Sequence, residues 1–74
     1  MSEILDVKGL NCPLPVLRTK KRMKSVPRGD ILTVEATDPN AAKDIPALCE
    51  ASGYDLVSLE EQGGVFVFRI RQAA

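Results

Sequence analysis

The sequence has no histidine and no tryptophan, and its 74 residues include only one tyrosine and two phenylalanines. Without histidine the chain lacks the side chain most used as a base and metal ligand near neutral pH. So few aromatic rings leave few platforms for stacked bases, which weighs against direct nucleic-acid binding. Cysteine is scarce as well: Cys12 and Cys49 are the only two, and they lie far apart. Two thiols with no imidazole fall short of the four ligands of a structural zinc site, so no metal is expected. A lone framework disulfide is not expected in a cytosolic chain. No apolar run approaches the roughly 20 residues of a membrane span. Met1-Ser2-Glu3 lacks the basic-then-apolar pattern of a signal peptide, which makes the cytoplasm the expected compartment. Net charge is missing too, because ten basic residues balance ten acidic ones. No whole-molecule field therefore draws the chain to nucleic acid.

What is present suits one small folded domain over residues 1–74. Hydrophobic residues make up 45% and charged residues 27%, which fits a globule rather than a disordered tail. A domain of this size has little core to spare, so nearly every apolar face must be used. The charges are unevenly placed. Arg18, Lys20, Lys21, Arg22, Lys24 and Arg28 crowd into one stretch, while Glu60 and Glu61 stand side by side much later. Such a basic run is either a solvated helix face or a docking surface for an acidic protein or an RNA backbone.

Periodicity predicts the order strand, helix, strand, helix, strand, strand. A short strand over residues 4–8 is broken by Gly9. A helix over 13–25 follows, with Val16, Leu17 and Met23 on one side and Lys20 snorkelling at its edge. Pro27-Arg28-Gly29-Asp30 is a turn. The β-branched stretch 31–37 is a strand whose Leu32, Val34 and Ala36 share a face. Asp38-Pro39 reads as an N-cap followed by the first helical residue. Pro46 is awkward inside that helix, because it lacks an N–H for the Ala42 carbonyl. A loose turn over 39–43 is expected, then a regular helix capped by Asp44 and ending at Ser52 before Gly53. Its apolar face carries Ile45, Leu48, Cys49 and Ser52. A strand over 54–60, a Gln62-Gly63-Gly64 hairpin and a strand over 65–71 complete the chain. Phe66, Phe68 and Ile70 should anchor the core. The expected fold is an α/β two-layer sandwich, with a four-stranded mixed sheet and both helices on one face. The other face would carry Ile31, Thr33, Glu35, Val65, Val67, Arg69 and Arg71, either solvated or holding a partner.

The most informative stretch is Cys12-Pro13-Leu14-Pro15. With Cys12 at the N-cap, Pro13 and Pro15 fall at the first and third helical positions, where the N–H groups lack intrahelical acceptors anyway. The prolines then fix where the helix begins and stiffen the chain around the thiol. A helix N-terminus favours a thiolate, so the Cys12 pKa is expected to fall. The Leu14 N–H could donate to sulfur, and Arg18, about one turn on, could fold back and add positive potential. Two missing N–H groups make the site a poor phosphate cradle, which favours sulfur chemistry over nucleotide binding. The bland alternative for Cys12 is a small apolar residue at a helix start. Cys49 reads as a buried structural residue, or else as a resolving thiol.

With these residues in view, the chain resembles the TusA, or SirA-like, family of sulfur carriers over nearly its whole length. Leu5-Asp6 and Gly9-Leu10 precede the Cys-Pro-x-Pro signature at Cys12 to Pro15. Asp38-Pro39 and Asp44-Ile45-Pro46 match a second family landmark. The resemblance implies a β-α-β-α-β-β sandwich and a sulfane sulfur carried on Cys12 as a persulfide, with no cofactor. It implies a cysteine desulfurase or other persulfide donor as one partner and a downstream acceptor protein as the other. Family pathways include tRNA thiolation, molybdenum-cofactor assembly and sulfur oxidation. Pro13 and Pro15 would set geometry. Arg18 would support the thiol, and Lys20, Lys21 and Lys24 would help dock partners. Asp6 and Asp44 read as structural or capping residues. A carrier that alternates between partners is expected to be a monomer.

Two other functions compete. A thiol–disulfide redox protein would use Cys12 with Cys49, but no Cys-x-x-Cys pair is present. A non-catalytic regulatory module would bind RNA or protein through the basic helix or the open sheet face.

Overall fold

The computed structural model describes residues 2–73. Strand β1 (Ser2–Asp6) leads to helix α1 (Leu14–Met23), strand β2 (Ile31–Ala36), helix α2 (Ala41–Ser52) and the strands β3 (Asp55–Gln62) and β4 (Val65–Arg71). The sheet order is β1-β2-β4-β3. β1 runs parallel to β2, as a strand–helix–strand crossover requires, and β4 is antiparallel to both neighbours. The fold is the expected two-layer α/β sandwich.

Alternation in β2 and β4 explains the two faces. Leu32, Val34 and Ala36 pair with Ile70, Phe68 and Phe66 across the central ladder. Most of these side chains are fully buried, with Phe66 half-buried at the edge. Ile45 and Cys49 of α2 and Met23 of α1 complete the core. The opposite face carries Ile31, Thr33 and Glu35 beside Val65, Val67, Arg69 and Arg71, as alternation predicts. Its arginines pair with acids of β3: Arg69 with Glu60 at 3.3 Å and Arg71 with Asp55 at 3.2 Å. β3 is an edge strand whose register shifts between Leu56 and Ser58, leaving Val57 as the extra residue of a bulge. A bulge with flanking acids discourages a further strand from pairing there. Gly63 and Gly64 have φ of 58° and 83°. Two consecutive left-handed residues make a tight primed turn, which suits glycine and matches the twist of the hairpin.

Helix α1 differs from expectation in the face it buries. Pro15, Thr19 and Met23 form its buried stripe, while Leu17 is 54% exposed. Thr19 can be buried because its hydroxyl donates to the Pro15 carbonyl at 2.8 Å. Helix α2 begins at Ala41, with Asn40 as N-cap, and runs without interruption through Pro46. Residues 39–43 are therefore not a loose turn before a later helix. Asp44 lies inside the helix, and its N–H donates to the Asn40 carbonyl at 2.9 Å. The helix ends at Ser52, and Gly53 follows with φ 80°.

Candidate functional site

Parallel strands end at the same edge of a sheet, so the segments that follow β1 and β2 leave it side by side. Hydrogen bonds from backbone N–H groups of the first segment, to a carbonyl and two side chains of the second, then zip these segments together. The Val7 N–H donates to the Glu35 carbonyl at 2.9 Å, and the Gly9 N–H donates to Thr37 Oγ1 at 2.9 Å. The Cys12 N–H donates to Asp38 Oδ2 at 2.6 Å. The other oxygen of Asp38 accepts the Asn40 N–H at 3.1 Å. One carboxylate, only 8% exposed, thus ties the approach to α1 to the start of α2. Removing it leaves two N–H groups without their acceptor. Asp38→Ala is expected to lower unfolding stability by about 1–3 kcal/mol, measured as a shift of the urea midpoint. An unchanged midpoint would show that this tie is dispensable.

The strap places Cys12 at the surface, with its thiol free. Cys12 stands one residue earlier than expected relative to α1. The N-cap is Pro13, with non-helical φ −96° and ψ 11°, and Pro15 falls at the second helical position. The peptide between Cys12 and Pro13 is cis. The first ladder bond runs from the Leu17 N–H to the Pro13 carbonyl, at 3.0 Å. The Leu14 N–H is not available to sulfur, because it donates to the Asn11 carbonyl at 2.9 Å.

The neighbour of the sulfur is an acid. Cys12 Sγ–H donates to Asp44 Oδ2 at 3.5 Å, across the gap between the two helices. The expected fall in thiol pKa is therefore corrected. Partial loss of water, then the hydrogen bond to Asp44, then the negative charges of Asp44 and Asp38 push the Cys12 thiol up. The helix start contributes less than expected because Pro13 and Pro15 carry no N–H and the Leu14 N–H is taken. Asp44 is thus not a cap. Asp38 and Asp44 are the site residues that a reading of motifs alone does not bring to the thiol. The available signal was the parallel order of β1 and β2, which brings their following segments together.

The other named residues separate into two places. Pro13, Val16, Leu17 and Lys20 of the first helical segment face Asp44, Ala47 and Leu48 across an open, largely apolar groove containing Cys12. Arg18 does not turn back to the sulfur. With Lys21, Arg22 and Ser25 it lines a second groove beside Leu5 of β1. Lys24 is exposed and lines neither. Helical geometry explains the split, since residues three and four apart share a face and those two apart do not. Arg22 pairs with Glu3 at 3.2 Å, whereas Arg18 and Lys21 have no ion pair among the described residues.

Cys49 lies on the core side of α2, 2% exposed, and its thiol is also free. Burial, with a smaller contribution from Asp55, pushes its pKa up. Among the described residues no group of three or more His, Cys, Asp or Glu is placed to hold a metal ion. No described helix is long and apolar enough to cross a membrane.

Comparison with known proteins adds to this geometry. The family model for sulfurtransferase TusA matches residues 3–72. A Neisseria meningitidis chain described as a candidate sulfur carrier protein is 49% identical over 70 residues, covering 95% of either chain. A sulfur carrier protein TusA of Allochromatium vinosum is 45% identical over 69 residues, which is 93% of this chain and 91% of its own. The crystal structure of a SirA-like protein from Desulfitobacterium hafniense is 29% identical and covers both chains fully, with a TM-score of 0.82.

Proposed function

The chain belongs to the TusA sulfurtransferase family and has a sulfur-carrier role; on that premise we propose that Cys12 carries the cargo as a persulfide, relayed from a donor protein to an acceptor protein. The observation that carries this reading is the contrast between the two thiols. Cys12 is exposed between two helix starts, and Cys49 is sealed in the core. A carrier needs a sulfur that two proteins can reach in turn.

The chemistry is a pair of sulfane transfers without net redox change. Cys12 sulfur attacks the outer sulfur of a donor persulfide and forms a new S–S bond. The donor's own S–S bond breaks, its cysteine leaves as a thiolate, and the Cys12 proton balances that charge. In the second transfer an acceptor thiolate attacks the outer sulfur and Cys12 leaves. Cysteine desulfurases fit the donor role, because they present a persulfide on a cysteine. The test is intact mass after incubation with a purified cysteine desulfurase and cysteine. A gain of one sulfur that a reductant removes supports the reading. The reductant separates persulfide from sulfinic acid, which adds nearly the same mass and is not reversed. No gain with several such donors would count against it.

In this reading Pro13 and Pro15 set the approach of the chain to the thiol. Lys20 lies in the groove with Cys12, while Arg18 and Lys21 offer unpaired charge to an acidic donor surface. Lys24 lies outside both grooves and is the weakest docking candidate. Reversing rim charges acts mainly on encounter rate and is screened by salt. The double variant Arg18→Glu/Lys21→Glu is expected to slow donor loading about 3- to 10-fold at low salt. Alkylation of Cys12 by a neutral reagent should not change. Equal loading rates at low salt would remove this surface from donor docking.

A further inference from the structure

The carboxylate beside Cys12 is not the neighbour expected for an activated thiol. Asp44 Oδ2 lies 3.5 Å from the sulfur, and Asp38 holds the Cys12 N–H. Neither acid has an ion pair among the described residues. Among the described residues the one cation lining this groove is Lys20, on α1. The sulfur therefore sits in a negative local environment.

We propose that Asp44 is a positioning residue that retains the sulfane sulfur on Cys12 between partners. This rests on the reading of Cys12 as the persulfide site. The loaded chain loses its cargo when a thiolate attacks the outer sulfur, the bond from that sulfur to Cys12 Sγ breaks, and Cys12 leaves with the electron pair. The attacking thiol gains the outer sulfur, and Cys12 then takes a proton from water. Asp44 opposes this in two ways. A nearby carboxylate repels the incoming thiolate. It also makes the departing Cys12 thiolate less favourable, and a more basic thiol leaves more slowly. A small solution thiol is therefore a poor acceptor. A docked acceptor, which brings its own groups into the groove, is not bound by the same limit.

The unloaded thiol reports the same interaction in part: loss of water raises it most, and the hydrogen bond and charge of Asp44 add to that. Because the Cys12 thiol is pushed up, its thiolate appears at higher pH than in a free cysteine. Asp44→Asn keeps the shape and removes the charge. Its alkylation by iodoacetamide, followed on the Cys12 peptide, is expected to shift to lower pH and to run about 3- to 10-fold faster at pH 7. After loading, its persulfide should decay several-fold faster than wild type in glutathione, and Asp44→Glu should restore part of the lifetime. Unchanged alkylation profiles would overturn the proposal, as would faster alkylation with an unchanged persulfide lifetime. A chain that no donor can load would instead count against the persulfide reading. The two failures are separable because alkylation needs no sulfur transfer.

Discussion

Cys12→Ser is expected to fold as the parent does and to lose all detectable sulfur loading. The substitution exchanges one atom at an exposed position, outside the core. Surface changes of this kind usually move stability by no more than about 0.5 kcal/mol. The backbone tie to Asp38 uses the Cys12 N–H rather than the side chain, so it survives the change. What is lost is the sulfur nucleophile, and a hydroxyl does not take over sulfane transfer. Cys49→Ala should retain loading, because Cys49 is enclosed between α2 and the sheet. Circular dichroism and intact mass after donor incubation read both halves of the expectation. A Cys12→Ser chain that unfolds, or that still gains a reductant-labile sulfur, would contradict the assignment of Cys12.

Phe68→Ala is expected to have the largest effect on stability. Phe68 is fully buried in the central strand β4, opposite Val34. Its ring lies 6.5 Å from that of Phe66. Truncating a core phenylalanine typically costs about 3–5 kcal/mol, part transfer and part cavity. At about 0.05–0.15 kcal/mol per residue, a chain this short has a total stability of only about 4–11 kcal/mol. The variant should therefore lose between about a quarter and all of its stability. Denaturant unfolding followed by circular dichroism would read the change. A loss below about 1 kcal/mol would show that Phe68 does not anchor the core as described.

The sheet was legible because its signal is local. Alternation over β2 and β4 identified both faces, and two consecutive glycines marked the hairpin. Cys12 was conspicuous for a similar reason, since a thiol next to two prolines at a helix start has little structural purpose. Helix α1 was harder to read. Its buried stripe includes Pro15 and Thr19, and hydropathy cannot show that a threonine will satisfy its hydroxyl on the Pro15 carbonyl. Two prolines tolerated in a first turn also left the N-cap uncertain by one residue.

The electrostatics of the site were the least legible part. Asp38 and Asp44 were visible as residues of a helix start, and that role suffices to explain an aspartate at such a position. Their meeting with Cys12 depends on β1 and β2 lying parallel and in register, so that the segments beyond Asp6 and Ala36 converge. The sign of the thiol shift follows first from loss of water and then from the acid beside the sulfur. The Asp44 oxygen lies at 3.5 Å, while Pro13 and Pro15 carry no N–H and the Leu14 N–H is already bonded. Pro46 shows a related limit. Local rules place a proline near a helix start, yet α2 runs through it and forgoes one ladder bond to the Ala42 carbonyl.

The central claim is that the cargo rides on Cys12 and not on Cys49. The most direct measurement is to load the chain with a cysteine desulfurase and cysteine, alkylate it, digest it, and map each cysteine peptide by mass. The expected result is one extra sulfur on the peptide containing Cys12, labile to reductant, and an unmodified Cys49 peptide. Extra sulfur on Cys49, or on neither peptide of a chain that has gained mass, would contradict the account.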